Sequence, residues 1–149
     1  RGTWYVTHAK YGETATLCQK FKFENNSKDK VDMNYGYHVG SDLFKFHCNG
    51  SKETEVGKYS FDCTANITWY EINEKVYLTV IGTDYNKFAV FYMCFKEGET
   101  YINDNFLTFS QNKDDMKNTE GTKVLREKQQ LSLDDSRSRK DHNCLEVRI

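Results

Sequence analysis

Proline is absent from all 149 residues, and only 9 are glycine. A chain without proline carries no stiff polyproline linker, and neither repeats nor low-complexity segments mark a boundary. One domain over 1–149 is the expectation for this length. No stretch approaches the roughly 18 apolar residues that a membrane-spanning helix needs. An excess of one charge is also missing, since 21 Lys and Arg face 22 Asp and Glu for a net charge of −1. So balanced a chain has no global pull toward nucleic acid or an anionic membrane, and neither is expected as a partner. Catalytic signatures are lacking as well: no G-x-S-x-G elbow, no Gly-rich phosphate loop and no H-E-x-x-H. The four histidines (His8, His38, His47 and His142) form no recognisable dyad, so no enzyme is expected.

Aromatics are what the chain has in quantity: 10 Phe, 10 Tyr and 2 Trp. Rings pack well on pleated surfaces and speak against disorder, so an all-β fold is expected. Five cysteines (Cys18, Cys48, Cys63, Cys94 and Cys144) show no C-x-x-C or Cys/His spacing, and no metal is expected. Sequons stand at Asn25, Asn49 and Asn66. Together with the cysteines they point to an oxidised, secreted protein, with those three asparagines as the candidate glycosylation positions. The chain opens at Arg1 without methionine or leader, so it reads as a processed product. An odd cysteine needs a partner, expected upstream of Arg1.

Short alternating runs broken by polar turns predict strands over Thr3–Lys10, Val31–His38, Leu43–Cys48, Lys58–Ile67, Lys75–Ile81, Lys87–Phe95 and Asn105–Ser110, with Gln19–Glu24 as an eighth. Turns are expected at 49–50 (Asn-Gly), 73–75 (Asn-Glu-Lys), 84–86 (Asp-Tyr-Asn) and 97–98 (Glu-Gly). Beyond a polar loop at 112–118, helical spacing of Val124, Leu125, Lys128 and Leu131 predicts a helix over Thr122–Leu133, packed outside the sheet. Asp134–His142 is charged, and Arg137 and Arg139 are expected at the surface.

Four features in order carry a resemblance. Gly2-Thr3-Trp4 opens the first strand with the G-x-W that resembles the lipocalin signature. Thr83–Cys94 is similar to the strand E to F hairpin of the salivary lipocalins of triatomine (blood-feeding) bugs, the triabin/nitrophorin-like family. Asp104-Asn105-Phe106-Leu107 with Gln111-Asn112-Lys113, and then His142-Asn143-Cys144, resemble the same family. The resemblance implies an eight-stranded antiparallel up-and-down barrel with one open mouth and a C-terminal helix outside. It also implies that Cys18 pairs with Cys144, and that Cys94 pairs with a cysteine absent from this chain. Cys48 and Cys63, which flank an expected hairpin, are then left for each other. Members of the family bind haem with nitric oxide, biogenic amines, adenine nucleotides, thromboxanes or leukotrienes, and one branch inhibits thrombin through its surface.

Alternation then assigns an inner face. If Cys94 points out, Ala89, Phe91, Met93 and Phe95 point in. The family pattern places Tyr77, Thr79 and Ile81 inside, together with Asn105, Leu107 and Phe109, and with Trp4, Val6 and His8. These rings either fill a core or line a lipophilic pocket. Tyr35, Tyr37 and His38 are expected at the mouth, where His38 could ligate haem as in haem-carrying relatives. Lys10 and Lys45 could meet a ligand carboxylate, and Asp32, Asp42 and Asp84 an amine. The function expected is that of a monomeric, secreted salivary scavenger of an eicosanoid, such as a cysteinyl leukotriene or thromboxane, countering haemostasis or inflammation. An amine or ADP scavenger, a haem carrier and a surface-acting thrombin inhibitor are the alternatives.

Overall fold

Polar and apolar residues alternate along each run, so one side of every strand is driven out of water. The computed structural model describes residues 2–67, 70–129 and 137–149. Its strands are β1 (Gly2–Ala9), β2 (Lys20–Asn25), β3 (Lys30–Val39), β4 (Asp42–Lys52), β5 (Lys58–Ile67), β6 (Tyr70–Thr83), β7 (Phe88–Glu97) and β8 (Thr100–Ser110). Each pairs antiparallel with the next, and β1 closes the circle by pairing with both β2 and β8. The result is the expected eight-stranded up-and-down barrel. The hairpin expected between the fifth and sixth strands in fact joins β6 and β7, the sixth and seventh. A two-residue β9 (Arg137–Ser138) pairs with His8 and Ala9 of β1 on the outside.

Two expected turns lie inside strands. Asn49-Gly50 sits in β4, paired with Asp62 and Phe61. A Cβ at Gly50 would lie 2.2 Å from the Phe61 ring, so this glycine serves a close approach and not a turn. Asn73-Glu74-Lys75 sits in β6, which begins at Tyr70. Turns at 84–86 and 97–98 are present, with Tyr85 and Gly98 both at positive φ.

Outside the barrel, α2 (Thr119–Gln129) begins three residues earlier than expected and packs on β6, β7 and β8. Glycine lets it come close: Val124 lies over Gly82, and Gly121 over Thr108. Leu131 and Leu133 of the expected helix lie outside the described residues. Asn118 pins the helix start. Its buried side chain donates to Thr7 Oγ1 and the Phe109 carbonyl, while its Oδ1 accepts from the Gly121 amide.

Inside, a layer of stacked rings crosses the barrel. Phe21 stacks on Tyr35 at 5.0 Å and Tyr35 on Phe46 at 4.8 Å, with Phe109 edge-on to Phe21. The Cys48–Cys63 disulfide joins facing residues of β4 and β5 within this buried layer. Cys18–Cys144 ties the C-terminal tail to the segment between β1 and β2. Cys94 is half-buried and is the free cysteine among the described residues.

Candidate functional site

The C-terminal ends of β3, β5 and β7 share one rim of the barrel with the segment 10–19, Gly40 and Gly98 lying on it. Across that rim lies a short helix, α1 (Thr14–Leu17), held by the Cys18–Cys144 disulfide and a 2.8 Å hydrogen bond between Thr14 Oγ1 and His142 Nδ1. Beneath it is a cavity of about 260 Å³. Ala15, Thr16 and Gln19 form its roof, Tyr35, Tyr37, Phe95 and Leu107 its walls, and Ile102, Asn103 and Asn105 its edge.

Glu74 also lines this cavity. Its phase on β6 matches Val76 and Leu78, both buried in the core, so its carboxylate shares their inner face. The Tyr35 hydroxyl donates to it. Burial raises the carboxyl's pKa above the ordinary value, the Tyr35 bond opposes that shift, and Glu97 adds to it. Burial and Glu74 likewise push the Tyr35 and Tyr37 phenols up. No lysine or arginine is among the residues lining the cavity. The mouth is therefore a hydrogen-bonded, aromatic cup with a carboxylate in it, and it lacks a matching cation.

Of the residues expected at a site, Tyr35, Tyr37, Phe95, Asn105 and Leu107 meet here. Asn105 is already committed: it donates to the Tyr11 carbonyl at 2.6 Å and accepts from the Tyr11 amide at 3.0 Å, so it fastens the end of β1. Met93 is fully buried within the core, and Phe91 lines a second cavity at the opposite end of the barrel.

Four expected placements are corrected. Tyr77 faces outward, 37% exposed, with the Lys96 ammonium 5.4 Å from its ring centre. It pairs with Cys94 across β6 and β7, and paired residues share a face, so an outward Cys94 requires an outward Tyr77. Thr79, two residues further along β6, shares that face. His8 lies on the outer side, because a bulge between Val6 and His8 shifts the register against β8. Its Nδ1 meets Thr7 Oγ1 at 3.1 Å beside β9. His38 also points away from the lumen, since Tyr35 and Tyr37 take the inward positions of β3. Its Nε2 donates to the Glu146 carbonyl at 2.9 Å. From there it cannot reach an iron held inside the barrel, so the haem alternative loses its ligand.

Arg139, expected at the surface, is half-buried over the Tyr5 ring at 5.4 Å. Lys10 sits over the rings of Tyr11 and Phe106, and neither Lys10, Lys45, Asp32, Asp42 nor Asp84 lines the mouth. The sequons at Asn25 and Asn49 are exposed, and that at Asn66 falls in β5. Among the described residues no three His, Cys, Asp or Glu side chains gather to hold a metal, and no helix is long and apolar enough to cross a membrane.

Sequence reasoning missed Glu74 by assigning 73–75 to a turn. The signal was present in Glu74, Val76, Leu78 and Val80, a period-two set with one carboxylate in phase with three apolar residues.

Comparison with known proteins is consistent with this architecture. The family model described as Triabin matches residues 1–123. Triafestin-2 of Triatoma infestans is 32% identical over 94% of this chain and 71% of its own length. A biogenic amine-binding protein superposes with a TM-score of 0.74 at 18% identity, over 94% of this chain and 78% of that one, which is a likeness of fold. A mutant of LTBP1 in complex with leukotriene C4 superposes with a TM-score of 0.65 at 26% identity, over 97% and 83%.

Proposed function

The chain belongs to the triabin family of triatomine salivary lipocalins, and we propose that it is a secreted scavenger, without turnover, of a small host mediator carrying a cationic amine. Glu74 carries this reading: a half-buried carboxylate in an aromatic cup, bonded to Tyr35 and unmatched by any lining cation. A bound ammonium would supply the missing charge, with the Tyr37 ring as a further cation-binding surface. The ligand's apolar part would rest on Phe95, Ile102 and Leu107. At about 260 Å³ the cup lies just below the usual range of small-molecule pockets, which suits an arylalkylamine.

A second reading keeps the expected eicosanoid, and the leukotriene C4 complex of the LTBP1 mutant supports it. Against it, the carboxylate of such a lipid would meet another carboxylate in Glu74 and no lysine. The phosphates of ADP face the same difficulty.

Parallel calorimetric titrations with serotonin and leukotriene C4 separate the readings. Serotonin is expected to bind one to one, and Glu74→Gln to weaken it about thirtyfold, the equivalent of roughly 2 kcal/mol for losing one side of a desolvated charge pair. Leukotriene binding without serotonin heat would overturn the amine reading in favour of the lipid. Equal serotonin affinity in the Gln variant would remove Glu74 from the site.

A further inference from the structure

The stacked layer of Phe21, Tyr35 and Phe46 with the Cys48–Cys63 disulfide separates the mouth from a second cavity of about 180 Å³ at the other end of the barrel, and the two share no lining residue. Its walls are Trp4, Phe61, Leu78, Val80 and Phe91, with Val31 toward the rim. Phe61 is drawn to the wall because Gly50 offers no side chain there. No charged residue lines this cavity. Thr83 is already engaged, donating to the Phe88 carbonyl at 2.7 Å and accepting from the Tyr85 amide at 2.9 Å. Tyr59 and Tyr85 also line it, and their hydroxyls are the polar groups a ligand could address.

The entrance is built as firmly as the walls. Tyr85 stands at the rim, 77% exposed, with φ of 66°, a left-handed conformation that tyrosine rarely adopts. Asp84 fixes the turn, its carboxylate accepting from the amides of Asn86, Lys87 and Phe88 at 2.8 to 3.1 Å. Those three bonds lower the Asp84 pKa, so the turn keeps its anionic anchor well into acid. A strained aromatic is thus held over an apolar hole.

We infer that this closed-end cavity is a second binding site, for a small neutral aromatic molecule, independent of the mouth. Apolar cavities of roughly 150 Å³ stay dry and take up benzene, so about 180 Å³ walled by rings suits one or two fused aromatic rings. A single hydroxyl or carbonyl on the ligand can address the hydroxyl of Tyr59 or Tyr85. Charged ligands are excluded, because nothing in the walls compensates for their desolvation.

The test is an NMR titration of the labelled protein with 2-naphthol, with and without saturating serotonin. Shift changes are expected at Val31, Leu78, Val80 and Ala89, with the same affinity in both cases and in Glu74→Gln. Val31→Phe, which places a ring in the cavity, is expected to weaken 2-naphthol about tenfold. Should that variant fail to fold, Tyr85→Ala at the exposed rim is expected to weaken binding about threefold. The inference is overturned if shifts are confined to Tyr37, Phe95 and Leu107, if serotonin displaces 2-naphthol, or if no shift appears up to its solubility limit. These shifts locate 2-naphthol whether or not serotonin binds, so failure at the mouth and failure here give different results.

Discussion

At the scale of single residues, the half-buried Glu74 and the buried His8 are two titratable groups that give opposite pH responses. Burial raises the Glu74 pKa, so its carboxylate begins to neutralise at a higher pH than an ordinary glutamate. An ammonium ligand needs the ionised form, and its affinity is expected to fall on acidification from the upper edge of that range. Calorimetry over a pH series checks this, and a flat profile would place the ammonium elsewhere. Burial lowers the His8 pKa below its ordinary 6.5, with Lys140 reinforcing and Asp115 opposing the shift. The folded state then resists protonation that the unfolded chain accepts. His8 thus contributes stability that is fully present above about pH 6.5 and is lost as pH falls through its lower folded value. Melting temperatures of wild type and His8→Asn are expected to converge on acidification. The difference isolates His8, because Glu74, whose raised value favours the folded state in acid, is common to both.

Strands and helices obey alternation and contact rules that a few residues interrupt. Gly50 lies mid-strand where Phe61 needs the space, so Gly50→Ala forces the ring to move and is expected to cost about 1–3 kcal/mol in denaturant unfolding. Asn118 joins α2 to the barrel through two donated bonds and one accepted. Its replacement by Ala leaves buried partners unsatisfied, at an expected cost of about 1–3 kcal/mol on the same measurement. At this scale the sequence was largely legible: all eight strands and the outer helix follow from periodicity. Two turns were misplaced for a common reason. Asn-Gly and Asn-Glu-Lys carry turn chemistry, and a local reading cannot tell a turn from a polar stretch that a partner strand has recruited.

For the molecule as a whole, one long covalent link holds the tail across the outside of the mouth end. Cys18–Cys144 spans 126 residues, and closing so long a loop contributes about 4–5 kcal/mol in the chain-entropy picture. Beyond the link, Val147 packs over Gly36, and Lys20 Nζ donates to the Val147 carbonyl at 3.0 Å. Replacing both cysteines with serine is expected to lower the melting temperature substantially and to loosen α1 over the mouth. Hydrogen exchange at Thr14–Leu17 and calorimetric melting check both effects. Unchanged exchange there would mean that α1 is held without the disulfide, by its β1 and β3 contacts and the Thr14–His142 bond.

What the sequence by itself determined is the set of local properties: aromatic alternation with period two, turn residues between runs, and the order of motifs resembling a known barrel family. These are written in neighbouring residues, so the barrel class and most of its strands could be read directly. Only the tertiary structure decided which side of each strand looks inward once bulges intervene. A one-residue slip turns every following side chain to the other face, and that is how His8 left the lumen. Only the tertiary structure, too, set Glu74 against Tyr35, 39 residues away, and split the lumen into an acidic mouth and an apolar closed end. Such juxtapositions depend on closing the sheet, and barrel closure is a property of all eight strands at once.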